Sequence, residues 1–148
     1  MGAQESIGTT LAVSAAAPAT FDTAGFDALT WTEVGEVTEI PEYGGQAATV
    51  EHTPLKTGIT QKLHGAINNG TLNVPMALDK SDAGQIIVDA AFAGRTQISY
   101  RVTFPDGAID YFQGKCMSPV KRGANVGNVL GGTAMIEIDT DIVIKAAP

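Results

Sequence analysis

The stretch "TAMIEIDTDIVI", Thr133 to Ile144, alternates apolar and polar residues almost without a break. Ala134, Ile136, Ile138, Ile142 and Ile144 fall on one side of an extended chain, and Glu137, Asp139 and Asp141 on the other. A period of two is what a half-buried strand requires, one face in the core and one in water. The signature recurs on either side of this stretch. "TLNVPMALD" sets Leu72, Val74, Met76 and Leu78 on one face, and Pro75 on the other marks an edge position or a bulge. "TQISYRVTF" and "AIDYFQGKCMS" flank Pro105-Asp106-Gly107, a turn in which proline presets φ and glycine takes the left-handed position. "GTTLAVSA", from Gly8 to Ala15, reads as a first short strand. So does Trp31 to Ile40, which is rich in β-branched residues and bounded by Pro41, Gly44 and Gly45.

One helix interrupts the strands. In "SDAGQIIVDAAFAG" Ser81 is a candidate N-cap, Asp82 suits the positive end of the helix dipole, and Gly94 suits the C′ position. Ala83, Ile86, Ile87, Ala90 and Ala91 form an apolar stripe, so a helix over about 82–93 should cover a β core. Asp22 to Leu29 has room for one or two helical turns. The predicted class is mainly β, a sandwich or barrel with one flanking α-helix. The chain reads as a single domain, 1–148, with a loose N-terminal arm at about 1–8. The Thr-rich segment at about 41–69 is too long for a plain connection and reads as a long loop or hairpin reaching away from the body. Asn69-Gly70 closes it with a tight-turn signal.

Bulk properties narrow the function classes. A chain of 148 residues, 44% hydrophobic, can bury about 70% of its extended surface in one core. Net charge is −7, and residues 1–55 hold eight acidic residues without a single lysine or arginine. Binding nucleic acid through its backbone needs clustered cations, and only the pair Lys121-Arg122 offers any. Cys116 is the sole cysteine, so no intrachain disulfide can form and a reducing compartment fits. No apolar run approaches the ~20 residues of a membrane span, and no positive segment precedes the apolar Leu11–Ala19 stretch as a signal peptide would need. "MGAQES" matches the N-myristoylation pattern, which so short a motif reaches by chance.

"WTEVGEVTEIPEYG", Trp31 to Gly44, carries a glutamate at every third position: Glu33, Glu36, Glu39 and Glu42. On a strand these alternate faces, Glu33 and Glu39 one way and Glu36 and Glu42 the other, and so disperse the oxygens a calcium site would gather. A solvated acidic surface is the expectation. His52 and His64 lie twelve residues apart, outside any zinc-ligand spacing. Ser81 and Ser118 lack a G-x-S-x-G context. The run Gly123, Gly127, Gly131, Gly132 has neither GxGxxG spacing nor a following helix. No enzyme signature, metal site or cofactor site emerges. The polar alternate faces, Thr71 and Asn73, then Gln97, Ser99, Arg101 and Thr103, then Glu137, Asp139 and Asp141, suggest a sheet with one wet face.

The order of these motifs resembles the major tail tube proteins of long-tailed, non-contractile, siphovirus-type bacteriophages. The resemblance is carried by "GTTLAVSAAAPATFDTAGFDALTWTEVGEVTEI", "MALDKSDAGQIIVDAAF", "FPDGAIDYFQGKCMS" and "GTAMIEIDTDIVI". It implies a tail-tube fold whose subunits form hexameric rings, the rings stacking into a hollow tube lined by one continuous β-barrel. Six copies lending four strands each, at ~4.8 Å spacing and ~40° tilt, would close a sheet roughly 48 Å across, wide enough for a DNA duplex. The implied function is a structural conduit for DNA ejection, not an enzyme. DNA would pass without specific binding and without a membrane interaction, and no cofactor is implied. Partners would be the chain itself with tail tip, terminator and tape-measure proteins, in a virion assembled in the host bacterial cytoplasm. Glu137, Asp139 and Asp141 are the lumen-facing candidates, because acidic side chains repel phosphate. Glu42, Tyr43, His52, Leu55, Lys56, Lys62 and His64 are candidates for the inter-ring contact arm. A β-sandwich binding, adhesion or decoration module of a virion is the alternative.

Overall fold

The structure is a computed structural model; it describes residue 3 and residues 5–121, 126–127 and 129–148. The start of the myristoylation pattern, Arg122 and Gly123 lie outside the described residues. Among the described residues, nine strands and two helices follow in chain order. These are β1 (Thr10–Ser14), α1 (Thr23–Asp27), β2 (Thr32–Glu33), β3 (Gln46–His52), β4 (Gln61–Asn68), β5 (Thr71–Ala77), α2 (Ala83–Gly94), β6 (Gln97–Thr103), β7 (Ile109–Lys121), β8 (Gly131–Ile138) and β9 (Val143–Lys145). Seven of the strands make one antiparallel sheet in the order β2-β1-β6-β7-β8-β5, with β9 also on β7. Among the described residues, strands β3 and β4 pair only with each other.

Periodicity explains the sheet. Leu11 and Val13, Ile98, Tyr100 and Val102, Phe112 and Cys116, Ala134, Ile136 and Ile138, and Leu72, Val74 and Met76 all turn to one face and form the core. Truncating a fully buried member such as Ile136 or Leu72 to alanine should cost about 3 kcal/mol. The Pro105-Asp106-Gly107 turn joins β6 to β7, with Gly107 at φ +96° and its N–H donating to Phe104 O at 2.9 Å. Pro75 sits on β5, the edge strand.

The opening stretch is not one straight strand. Residues 139–142 form a bulge between β8 and β9, and both strands run along the same side of β7. Gly114 faces Ile138, while Tyr111 faces Val143. Asp139 N–H donates to Gln113 O at 3.0 Å, and Thr140 Oγ1 accepts from Gln113 N–H at 3.0 Å. The alternation therefore breaks after Ile138, and Ile144 is exposed rather than buried.

Helix α2 also departs from the expected stripe. Its buried residues are Gly84, Gln85, Val88 and Ala91, while Ala83, Ile86 and Ala90 are exposed. Apolar residues nearly encircle this helix, so periodicity alone does not select a face. Gly84 selects it, because a Cβ there would stand 2.5 Å from Glu33 O and 2.6 Å from Val34 Cα. The N-cap is Asp82, not Ser81; its carboxylate accepts from Gln85 N–H at 2.9 Å.

A second, smaller core lies on the opposite face of β6 and β7, where polar alternation predicted a wet surface. Ser99 is buried and donates to Ala16 O at 2.8 Å. Phe26 of α1 stacks on Tyr111 with centroids 5.1 Å apart, Trp31 lies 5.8 Å from the same ring, and Arg101 sits 5.1 Å above Trp31. Gly25 lets the chain turn in tightly, since a Cβ would stand 1.9 Å from Thr20 O. The aromatic run Phe21, Phe26, Trp31 was the available signal for this layer.

Candidate functional site

No enclosed constellation of titratable side chains stands out. Among the described residues, no three His, Cys, Asp or Glu side chains are grouped to hold a metal ion. What the structure offers are surfaces.

The first is the acidic segment. Only Thr32–Glu33 is strand; residues 34–45 form no ladder, turning at Gly35–Glu36 and making a single bridge between Val37 and Met76. Instead of alternating, the segment repeats every three residues. Val34, Val37, Ile40 and Tyr43 pack on the main core, and Glu33, Glu36, Glu39 and Glu42 are all exposed. The expected dispersal of the glutamates over two faces is thus replaced by one outward line. Beyond the turn at Gly35–Glu36, three residues of extended chain carry the backbone ~9–10 Å from one glutamate to the next, a step too long for neighbours to share one ion.

Bonds scattered along the segment hold it in place. Val34 N–H donates to Leu11 O (2.8 Å), Thr38 N–H to Pro75 O (2.9 Å) and Ala77 N–H to Glu36 O (2.9 Å). Asp82 accepts from Gly35 N–H at 3.0 Å. Gln85, almost fully buried, donates to Gly35 O (3.0 Å) and Ala77 O (2.9 Å) and accepts from Asp79 N–H (3.1 Å). Glu36 takes φ +59°, an uncommon choice for a non-glycine residue and one these bonds enforce. Tyr43 belongs to the body and not to the arm. It is half-buried and its hydroxyl donates to Asp110, and burial together with that carboxylate raises its pKa.

The second surface is the β3–β4 hairpin. Val50 faces Leu63 on one side, with His52 facing Gln61 next to them, and Thr49 faces His64 and Glu51 faces Lys62 on the other. A Cβ at Gly65 would stand 3.0 Å from both Ala48 O and Val50 Cγ2. Its tip, between His52 and Gln61, presents Leu55, Lys56 and Ile59 to solvent. Of the arm candidates, His52, Leu55, Lys56, Lys62 and His64 are on this hairpin and exposed, and Glu42 is exposed just before it. Val50, Leu63 and Ile67 are 48%, 55% and 66% exposed although apolar. A two-stranded hairpin of this kind is marginal alone in water.

The third surface is the wet face of β5, β8 and β7. Thr71, Glu137, Lys115 and Gln97 stand in one cross-strand row. Thr71 Oγ1 donates to Glu137 Oε2 at 2.8 Å, and Lys115 Nζ lies 3.1 Å from Asp139 Oδ2. Asp139 and Asp141 lie on the bulge, so they do not continue the Glu137 row as alternation implied. Lys115 adds a cation that strand-by-strand reading had not placed beside these carboxylates. Arg101 lies over the Trp31 ring, and among the described residues it forms no salt bridge.

An ionic clasp closes the back of the molecule. Asp27 accepts from the Tyr111 hydroxyl and from Lys145 Nζ (3.1 Å), tying α1 to β7 and β9. The Tyr111 hydrogen bond and Lys145 hold the Asp27 carboxyl below its ordinary value. Burial and Asp27 push Tyr111 up to about 12.

This architecture matches solved structures along almost the entire chain. One is the tail of an empty gene transfer agent (GTA) particle with C6 symmetry: 16% identity, TM-score 0.72, covering 97% of this chain and 100% of that one. Another is the SPP1 tail tube: 12% identity, TM-score 0.66, covering 93% of this chain and 76% of that one. A third comes from the baseplate of the anti-feeding prophage (AFP): 8% identity, TM-score 0.71, covering 99% and 98%. The chain has the tail-tube fold. No family model matches the sequence, and no curated protein does.

Proposed function

We propose that the protein is the structural subunit of a phage tail tube, six copies closing into a ring and rings stacking into a conduit for DNA. The fold shared with tail structures carries this reading, and the free-standing hairpin supports it, since a minimal sandwich has no use for one. The subunit acts by geometry and charge, not catalysis. Its partners are further copies of itself and the tip, terminator and tape-measure proteins that start, end and measure a tube. Its place is the virion, after assembly in the bacterial cytoplasm.

On this reading the wet face of β5, β8 and β7 lines the lumen. Glu137, Asp139 and Asp141 keep the wall from holding phosphate, while Lys115 is neutralised beside Asp139. Replacing Asp139 and Asp141 by lysine should leave tubes intact but slow DNA delivery. Normal infectivity would remove these residues from the lumen.

Negative-stain microscopy of concentrated protein tests the central claim. Hollow tubes or six-fold rings are expected. Monomers that persist even with tail-tip proteins added would favour a virion decoration or adhesion module. Removing residues 49–66 tests the arm: the body should fold and stacking should fail, because among the described residues the deleted strands pair only with each other.

A further inference from the structure

The turn that leads from β4 into β5 requires a glycine. Gly70 takes φ +85°, in the left-handed region, and a Cβ there would stand 3.2 Å from Gly44 O. The residue before it, Asn69, is half-buried, and its Oδ1 lies 3.0 Å from the position a Cβ on Gly45 would occupy. Asn69 therefore reaches from one root of the hairpin to the other. By fixing glycine at position 70, the fold creates the one Asn-Gly pair in the sequence: Asn73, Asn125 and Asn128 each precede a valine, and Asn68 precedes Asn69.

An asparagine before a glycine carries its electrophile and its nucleophile together. The amide nitrogen of the next residue can close a succinimide ring on the side-chain amide carbon. Glycine offers no side chain to obstruct that approach, whereas a β-branched valine crowds it. Here the nucleophile is restrained, because Gly70 N–H donates to Asn68 Oδ1 at 2.9 Å. That bond holds the proton which must leave before the nitrogen attacks. Asn68 is exposed, so water competes for the same N–H whenever the bond opens.

We propose that Asn69 is a self-modifying site, deamidating through Gly70, and that Asn68 sets the rate by holding the Gly70 N–H. This stands apart from the tube reading. In the first step the Gly70 nitrogen gives its proton to hydroxide and bonds to Asn69 Cγ. The Cγ–Nδ2 bond breaks, and the side-chain nitrogen takes a proton from water and leaves as ammonia. Water then opens the succinimide. Cleavage between Cγ and the Gly70 nitrogen gives aspartate. Cleavage between the Asn69 main-chain carbonyl carbon and that nitrogen gives isoaspartate, with the chain now running through Cβ and Cγ. In sum, water is consumed and ammonia released, and no oxidant, metal or enzyme takes part. Either product adds a negative charge, and isoaspartate also lengthens the main chain between β4 and β5 by a carbon. Gly70 O accepts from Ile138 N–H at 3.0 Å, so the body side is anchored and the added length falls on the hairpin.

The test incubates the intact protein at mildly alkaline pH over days and compares it with an unincubated sample. Brief digestion with trypsin releases Leu63–Lys80, which carries Asn69 and Asn73 in the same peptide. Mass spectrometry should show the mass gain of an amide turned acid, placed by fragment ions on Asn69, with isoaspartate the larger product. Conversion should rise with pH, since the deprotonated amide is the nucleophile. Asn73, beside Val74, is the internal reference, and equal conversion at the two positions would overturn the site. Asn68→Ala removes the acceptor and should speed conversion about fivefold, the effect of one hydrogen bond on a barrier. Asn68→Asp keeps an acceptor oxygen and should convert no faster than the parent. An unchanged rate in Asn68→Ala would overturn the guarding role of Asn68. Equal acceleration in both variants would overturn it too, by tracing the rate to a loosened hairpin instead of the lost bond.

Discussion

At Gly84 the chain of α2 passes so close to Glu33 and Val34 that a methyl group has no space. Gly84→Ala should therefore lower stability by about 2 kcal/mol, even though alanine is the better helix former by ~1 kcal/mol. Gly94→Ala is the control: its Cβ would meet only Thr96 Cγ2 at 3.6 Å, and the variant should melt at or slightly above the parent. A thermal scan should separate the two variants by several degrees. Next to Gly84, Gln85 answers three backbone groups at once. Gln85→Ala strands Gly35 O, Ala77 O and Asp79 N–H, and should cost about 3 kcal/mol by denaturant titration. Asp27 sets part of the acid limit. Because its folded pKa lies below the ordinary 3.8, its contribution is present above that value and is lost as pH falls through the depressed one. Asp27→Asn should thus be less stable than the parent at pH 7, with the gap between their unfolding midpoints narrowing by pH 3.

Among the elements, the residue 34–45 segment and the β3–β4 hairpin stand in contrast. The segment has no strand ladder, yet its bonds to β1, β5 and α2 and its four apolar anchors immobilise it. The hairpin has a ladder of its own, broken by one bulge between Ala47 and Thr49, and its apolar Val50, Leu63 and Ile67 are exposed. Regular hydrogen bonding therefore does not rank these two by stability; buried apolar contact does. In isolated subunits the amides of β3 and β4 should exchange with solvent rapidly, and those of Val34 and Thr38 slowly. In assembled tubes the hairpin amides should become protected, and hydrogen exchange read by mass spectrometry would show the change. Hairpin amides equally exposed in tubes would mean that nothing covers it.

For the whole molecule the open question of physics is the sheet edge. The outer edge of β5 is covered only near Pro75–Ala77, by residues 36–38, and its Thr71–Val74 end has no strand partner among the described residues. Pro75 O and Ala77 N–H point to that outer side, so by the two-residue period the N–H of Asn73 does too. Asn73→Pro removes only an outward donor, as Pro75 already does. The monomer should stay folded, while a ring closed through this edge should fail to form. Size-exclusion chromatography beside circular dichroism would read both outcomes, and intact rings would exclude this edge from ring closure.

Strand placement was legible along β1, β5, β6, β7 and β8, since one face of each is in the core and a period of two has no rival there. The 105–107 turn was legible for the same local reason, a proline and a glycine in positions only they suit. The tertiary structure decided which side of α2 is buried, because its composition is apolar almost all round and only the close approach at Gly84 breaks the tie. It decided that polar Ser99 is buried against Ala16 and that Arg101 lies against Trp31, contacts between residues about seventy or more positions apart. It decided the glutamates as well. A spacing of three reads as scatter on a strand and as one line on a segment held by bonds from elsewhere, and those bonds come from Leu11, Pro75, Asp82 and Gln85, which no window around Glu36 contains.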